Sequence, residues 1–345
     1  MRINAKLDEY VDRVIVKNAV PVTSGQWSAK SSALVIAIFL FAASGWAEEI
    51  HDEAGTTGAA FLKIEGGSRP VGMGGAFAGL ANDVNTIFWN PAGLTSVHKR
   101  ELTAMQNFLI ADISSQFIGY AQRVGNGVWG ASLLGAFTEI ERRTRPTAEP
   151  DSTVVVGGFA AGASYAYAVL PELSIGGTAR GITQQLDIED SFGAAVDLGG
   201  VLRILNNRLG IGLSLQNLGF LSTDESLPTN VRGGIAYQIR KEVSPANPKP
   251  ARDFFAIVAD VDIPTASGFP TYHVGAENWF YDVLALRVGY SMSQGENPKN
   301  GLTGGIGVRR KGKASLENLH FQFDYAFVPN EDVGDAHRIS LLLRF

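Results

Sequence analysis

Large apolar and small or polar residues alternate with period two through the last third of the chain. In 319–327, Leu319, Phe321, Phe323, Tyr325 and Phe327 alternate with His320, Gln322, Asp324 and Ala326. In 284–292, Leu284, Leu286, Val288, Tyr290 and Met292 alternate with Ala285, Arg287, Gly289 and Ser291. In 337–345, Ile339, Leu341, Leu343 and Phe345 alternate with Arg338, Ser340, Leu342 and Arg344. Period two puts each set on one face of a strand. The uncharged stretch 152–171 would pass a hydropathy window as a membrane helix. Its parity predicts a strand instead. Val155, Phe159, Tyr165, Tyr167 and Val169 fall on one face, and Gly158, Ala160, Gly162, Ser164, Ala166 and Ala168 on the other.

The pattern predicts fourteen strands over 100–111, 113–124, 127–140, 153–169, 172–187, 191–205, 208–218, 228–240, 252–263, 271–280, 283–293, 302–310, 316–328 and 336–345. Their lengths suit tilted strands crossing a bilayer, which need about 9–11 residues in the hydrocarbon. Connections after even-numbered strands are tight, as at Gly125-Asn126-Gly127, Leu170-Pro171-Glu172, Asn206-Asn207, Tyr281-Asp282 and Lys311-Gly312-Lys313. Several after odd-numbered strands are long and polar: 141–152, 219–228, 294–301 and 329–335. A soluble sandwich also alternates. Short turns at one end and long loops at the other are instead the habit of an outer-membrane barrel. The tight first hairpin and the long 241–252 connection depart from that habit. The expected fold is therefore an all-β, antiparallel transmembrane β-barrel of about 14 strands over 99–345, in the bacterial cell outer membrane.

The chain before residue 99 does not alternate. Residues 31–47 carry no charge, and their apolar run, Ala33 to Ala43, is too short for an ordinary membrane helix. Gly45 and Ala47 supply the small residues of a cleavage site. A signal peptide over 31–47 is expected, and 1–30 reads as an extension produced by a misassigned start codon. Residues 48–98 form a lead and then a glycine-rich segment. Gly72-x-Gly74-Gly75 invites a phosphate-loop reading, but Pro70 precedes it and no buried strand leads into it. The structural reading is close backbone packing, with a short helix such as Ala76–Asn82 against a wall and a turn at Asn90-Pro91. Such a segment is long enough to fill a lumen as a hatch, with Gly72, Gly74, Gly75, Asn90, Pro91, Ala92 and Gly93 as its key residues.

Composition narrows the chemistry. There are no cysteines, so thiol nucleophiles, disulfides and thiolate metal sites are excluded. The formal charge of −5, without a basic block, argues against nucleic acid as a partner. The five histidines lack metal-ligand spacing, no nucleophile elbow is present, and no metal, cofactor or enzymatic activity is expected. Charges inside apolar strands should face the lumen or lie at the rims, because a lipid-facing arginine at the bilayer centre costs about 2–4 kcal/mol. Arg180, Arg203, Arg232, Arg287, Arg338 and Arg344 are such residues, with Asp197, Asp260, Glu277 and Asp324 as candidate partners. Acid pairs Asp260/Asp262 and Glu139/Glu141 are candidates for a lumen charge patch, a solvated interior or a rim. Trp129, Trp279 and several tyrosines, among them Tyr165, Tyr167 and Tyr290, suit an interfacial girdle.

Residues 61–94, FLKIEGGSRPVGMGGAFAGLANDVNTIFWNPAGL, resemble the amino-terminal signature of the PorV/PorQ family of outer-membrane proteins, within the FadL-like superfamily. DLGG at 197–200, QNLG at 216–219, HVGAEN at 273–278, LRVGY at 286–290 and HRISLLLRF at 337–345 are similar to family landmarks. The resemblance implies a fourteen-stranded barrel with an inward hatch containing Asn90, Pro91 and Ala92. The terminal Phe345 looks like the signal read by the barrel-assembly machinery. Two functions follow as expectations. One is a barrel that admits or binds hydrophobic small molecules through hatch displacement. The other is an outer-membrane scaffold that binds exported proteins in a type IX-like secretion pathway. The remaining expected partner is outer-membrane lipid.

Overall fold

The structure is a computed structural model. It describes residues 57–109, 113–142, 149–186, 189–223, 225–240, 254–265, 269–293, 300–312, 319–329 and 334–345. The expected signal segment and the 1–30 extension lie outside the described residues, as do most of the long connections.

Fourteen antiparallel strands close into one barrel in sequence order. They are β1 (Arg100–Phe108), β2 (Ser114–Val124), β3 (Gly127–Arg142), β4 (Ser152–Ala168), β5 (Leu173–Leu186), β6 (Glu189–Ile204), β7 (Leu209–Leu221), β8 (Asn230–Arg240), β9 (Phe254–Pro264), β10 (Thr271–Phe280), β11 (Leu284–Ser293), β12 (Asn300–Lys311), β13 (His320–Val328) and β14 (Ala336–Arg344). Closure pairs β1 with β14, from Glu101 opposite Arg344 to Phe108 opposite His337. Each strand therefore has two neighbours and the sheet has no open edge, so its backbone polar groups are satisfied within the wall.

The alternation sorts side chains by face. Leu133 and Phe137 on β3, Val155, Phe159, Tyr165 and Tyr167 on β4, and Leu284, Leu286, Val288 and Tyr290 on β11 are all exposed outward. Their small and polar neighbours face in. An apolar band this continuous requires lipid around it, and the barrel is transmembrane. Trp129 and Tyr165, with ring centroids 4.7 Å apart, lie outward near the β2–β3 turn, at the end where both barrel termini sit.

Of the readings open for Glu139 and Glu141, the structure takes the rim: both share the outward row of Leu133 and Phe137 and are exposed at the far end. Two expectations need correction. Trp279 is not in the girdle: it faces the lumen, fully buried, with the guanidinium of Arg309 4.0 Å from its ring centroid. The other is the helix over 76–82, which is not formed. The helices of the hatch are single turns, α1 (Ser68–Val71) and α2 (Thr86–Trp89), joined by turns and followed by a 3-10 turn at Pro91–Ser96.

The hatch threads the lumen from end to end. It starts at the end away from the barrel termini, where the Gly58 N–H donates to the Ser226 carbonyl at 3.0 Å. It leaves at Lys99, which runs into β1. Phe61 and Leu62 pack on Met105, Phe117 and Leu134 of the wall. Deeper, Val71, Met73, Phe77, Leu80 and Trp89 meet Ala236, Ala256 and Val258. Near the exit, Val84, Ile87, Leu94 and Val97 meet Val128, Ala166 and Leu342. The thin inner faces predicted for strands such as β4 make room for these side chains.

Candidate functional site

The hatch is held by charge as well as by packing. Arg69 in α1 reaches Glu277 of β10 through two bonds, Nε to Oε2 at 2.8 Å and Nη2 to Oε1 at 2.6 Å. Its Nη1 donates to Asp83 of the hatch at 2.6 Å. Glu277 also accepts from Arg287 Nε at 2.7 Å, and Arg287 Nη1 lies 2.8 Å from Asp324. From Asp324 the chain of contacts runs through Gln322 to Arg344, and Arg344 Nε donates to Glu101 at 3.0 Å. Glu101 then accepts from the hatch backbone at Val84 N, at 2.9 Å. The network thus leaves the hatch at α1, crosses β10, β11, β13, β14 and β1, and returns to the hatch. Burial opposes the charge of Arg69, but Glu277 and Asp83 overcome it and hold its pKa above the ordinary value.

A second set of bonds grips the glycine turn. Gly74 has φ +71° and Gly75 φ +79°, the left-handed region open to glycine. Gly74 N donates to Thr303 Oγ1 at 3.0 Å, its carbonyl accepts from His273 Nδ1 at 2.6 Å, and the Gly75 carbonyl accepts from Arg232 Nη1 at 2.8 Å. Asp260 Oδ2 accepts from Phe77 N and Ala78 N, both at 2.8 Å. Arg232 lies between Asp260 and Asp262 and over the Trp89 ring. Gly72 sits against Gly305 of β12, where a side chain on either would meet the other's Cα at 3.2 Å.

The Asn90 turn is gripped at the opposite wall. Asn90 Oδ1 caps Ala92 N at 3.2 Å, while its Nδ2 donates to the carbonyls of Ala78 and Gly200. Pro91 and Ala92 lie on Gly176 and Gly199, and Gly93 lies on the Ala81 carbonyl. Arg203, for which an acidic partner was expected, instead donates to the Ala81 carbonyl and to Ser96 Oγ, each at 2.8 Å.

The remaining predicted charges stand nearer the end away from the barrel termini. Arg180 pairs with Asp197 and donates to Asn217 Oδ1 at 3.1 Å. Asp197 accepts from Asn217 N at 2.8 Å. These residues explain the DLGG and QNLG segments: β7 bulges so that Gln216 and Asn217 together face Asp197, with Asn217 at φ +57°. Arg338 Nη1 donates to the Glu65 carbonyl at 3.0 Å and lies 3.4 Å from its carboxylate. Phe345 exchanges backbone bonds with Arg100, which seals the last rung of the closing pair. The hatch partners Glu65, Arg69, Asp83 and the wall residue Glu101 were not singled out in the sequence. A signal was there: Arg69 and Asp83 are the only charges between Gly66 and Val97.

Two cavities open beside the first turns of the hatch. One, of about 310 Å³, is polar, with Lys63, Arg180, Arg232, His273, Asp262 and Arg338 on its walls. Partial burial there lowers the pKa of Lys63. The other, of about 340 Å³, is mainly apolar, between Ala60, Phe61 and Ile64 of the hatch and Ala136, Val156 and Leu186 of the wall. Thr57 borders both. Among the described residues no cluster suits a metal ion.

The closed fourteen-stranded barrel has counterparts in fold among solved structures. Residues 40–201 match a family described as Uncharacterised protein family UPF0164. No curated protein matches the chain in sequence. The toluene transporter TodX of Pseudomonas putida superposes with a TM-score of 0.59 at 13% identity, covering 82% of this chain and 99% of that one. The toluene transporter TbuX of Ralstonia pickettii gives 0.55 at 14% identity, covering 82% and 100%. The monoaromatic hydrocarbon channel CymD gives 0.56 at 14% identity, covering 83% and 97%. The shared property is the fold.

Proposed function

We propose that this chain is a non-enzymatic channel of the bacterial outer membrane that takes a hydrophobic small molecule into its lumen and passes it by displacing the hatch. The observation that carries this reading is the apolar cavity of about 340 Å³ between the Ala60–Lys63 turn and the wall. Its size and lining suit a small apolar ligand. Below it the lumen is packed by hatch residues, so passage requires a second hatch arrangement that the ligand favours. The likeness in fold to channels for toluene and other monoaromatics supports the same class of cargo. The PorV/PorQ affinity suggested by 61–94 belongs to this reading. The long connections that a protein-binding scaffold would use lie mostly outside the described residues.

Uptake of radiolabelled toluene and decanoate by an outer-membrane host lacking its own hydrophobic channels tests the proposal. Expression of the chain is expected to raise the initial rate, and Ala136→Trp, which fills the apolar cavity, to lower it several-fold. Rates equal to those of the empty host would refute it.

A further inference from the structure

Exposed acids crowd the far rim, although Glu172 and Asp282 are also exposed at the end that holds the barrel termini. At the far rim the exposed ionisable residues include Glu139, Glu141, Glu149, Asp151, Glu189, Asp190 and Glu225. At the end that holds the barrel termini, Lys99, Arg100, Arg310 and Lys311 are exposed, and none has an acidic partner among the described residues. Their neighbours Arg309 and Arg344 are already engaged by Asp282 and Glu101.

Two of these cations face outward from the barrel wall. Arg310 continues the outward row of Leu302, Ile306 and Val308 on β12, and Arg100 continues that of Leu102 and Ala104 on β1. Between them lie β13 and β14. Arg310 stands opposite Phe321, Phe321 opposite Leu343, and Leu343 opposite Leu102, with Phe345 beside Arg100. Three strand spacings of about 4.8 Å separate β12 from β1. The result is an apolar floor of Phe321, Leu343 and Phe345, roughly 14 Å wide, with an unpaired guanidinium at each side.

We propose that this surface is a docking site for anionic phospholipid in the leaflet next to the barrel termini. Headgroup phosphates pair with Arg310 and Arg100, and acyl chains lie along Phe321 and Leu343. Arginine suits the role because its planar donors match phosphate oxygens, and both groups sit where an apolar row meets the headgroups. A soluble anion would have no use for the floor between them. The inference rests on the transmembrane fold and not on what the lumen carries.

The test uses the full chain in nanodiscs of equal dioleoylphosphatidylcholine and dioleoylphosphatidylglycerol, transferred gently to detergent, with retained lipid counted by native mass spectrometry. The wild type is expected to retain phosphatidylglycerol roughly thirtyfold over phosphatidylcholine, the scale set by two membrane-surface cations. R100Q/R310Q should retain the two lipids equally, R100K/R310K should keep most of the preference, and K63Q at the opposite end should keep all of it. Folding of each variant is read from heat-dependent gel migration, and if the double glutamine variant does not fold, R310Q alone is compared with R310K. No preference in the wild type, a preference that survives neutralisation of the arginines, or one lost in K63Q would overturn the proposal.

Discussion

Arg69 and Glu277 are 208 residues apart in sequence and share two hydrogen bonds. A paired buried charge is tolerable, whereas a buried charge left alone is not. Arg69→Met removes the partner that Glu277 and Asp83 share, and should cost about 3–5 kcal/mol. Denaturant unfolding of the detergent-solubilised barrel measures it, and the double variant Arg69→Met/Glu277→Met should lose less than the sum of the two single losses. At this scale the sequence was half legible. Bilayer cost alone sends Arg180, Arg287 and Arg338 inward, and Asp197, Glu277 and Asp324 are where partners were expected. Which charge meets which depends on register across several strands, and no local pattern encodes that. Arg203 shows the limit: a carbonyl and a hydroxyl from the hatch take the place of an acid.

For the hatch as an element, backbone contact decides the packing. A Cβ added at Gly289 would lie 1.9 Å from Gly74 N. Gly289→Ala should therefore push the glycine turn from the wall, seen as faster chymotrypsin cleavage between Phe77 and Trp89. Gly304→Ala on the adjacent strand, with nothing within 4 Å of its added Cβ, should leave cleavage unchanged. The same contacts explain why 76–82 is not the helix its composition suggested. Asp260 takes the N–H groups of Phe77 and Ala78, and Ala81 has φ +29°, outside the helical region. Tertiary bonds from a strand some 180 residues away override a weak local preference. The β7 bulge was hidden for a related reason. Gln216 and Asn217 break parity by one residue, and the compensating Arg180–Asp197 pair lies on other strands.

Across the whole molecule, the barrel was the most legible feature, because lipid outside and a filled lumen inside impose two different chemistries on alternate residues of every strand. Val155, Phe159 and Tyr165 against Gly158, Ala160 and Ser164 state that division within one strand. Cavity position was not legible: it depends on where Phe61 and Leu62 stop filling the lumen toward its far end. Enlarging that space should speed entry if the hatch is the barrier. Phe61→Ala is expected to raise the toluene uptake rate about two- to tenfold in the same host, and a rate unchanged from wild type would place the barrier elsewhere. These fold-changes correspond to roughly 0.4–1.4 kcal/mol in barrier height.

Movement of the hatch against the wall is the central claim, and a reversible tether tests it most directly. The chain has no cysteines of its own, and Gly72 and Gly305 face each other so closely that a Cβ on either lies 3.2 Å from the other's Cα. In Gly72→Cys/Gly305→Cys, oxidation should abolish toluene uptake and reduction should restore it. Uptake that proceeds at the same rate with the disulfide formed would contradict the account.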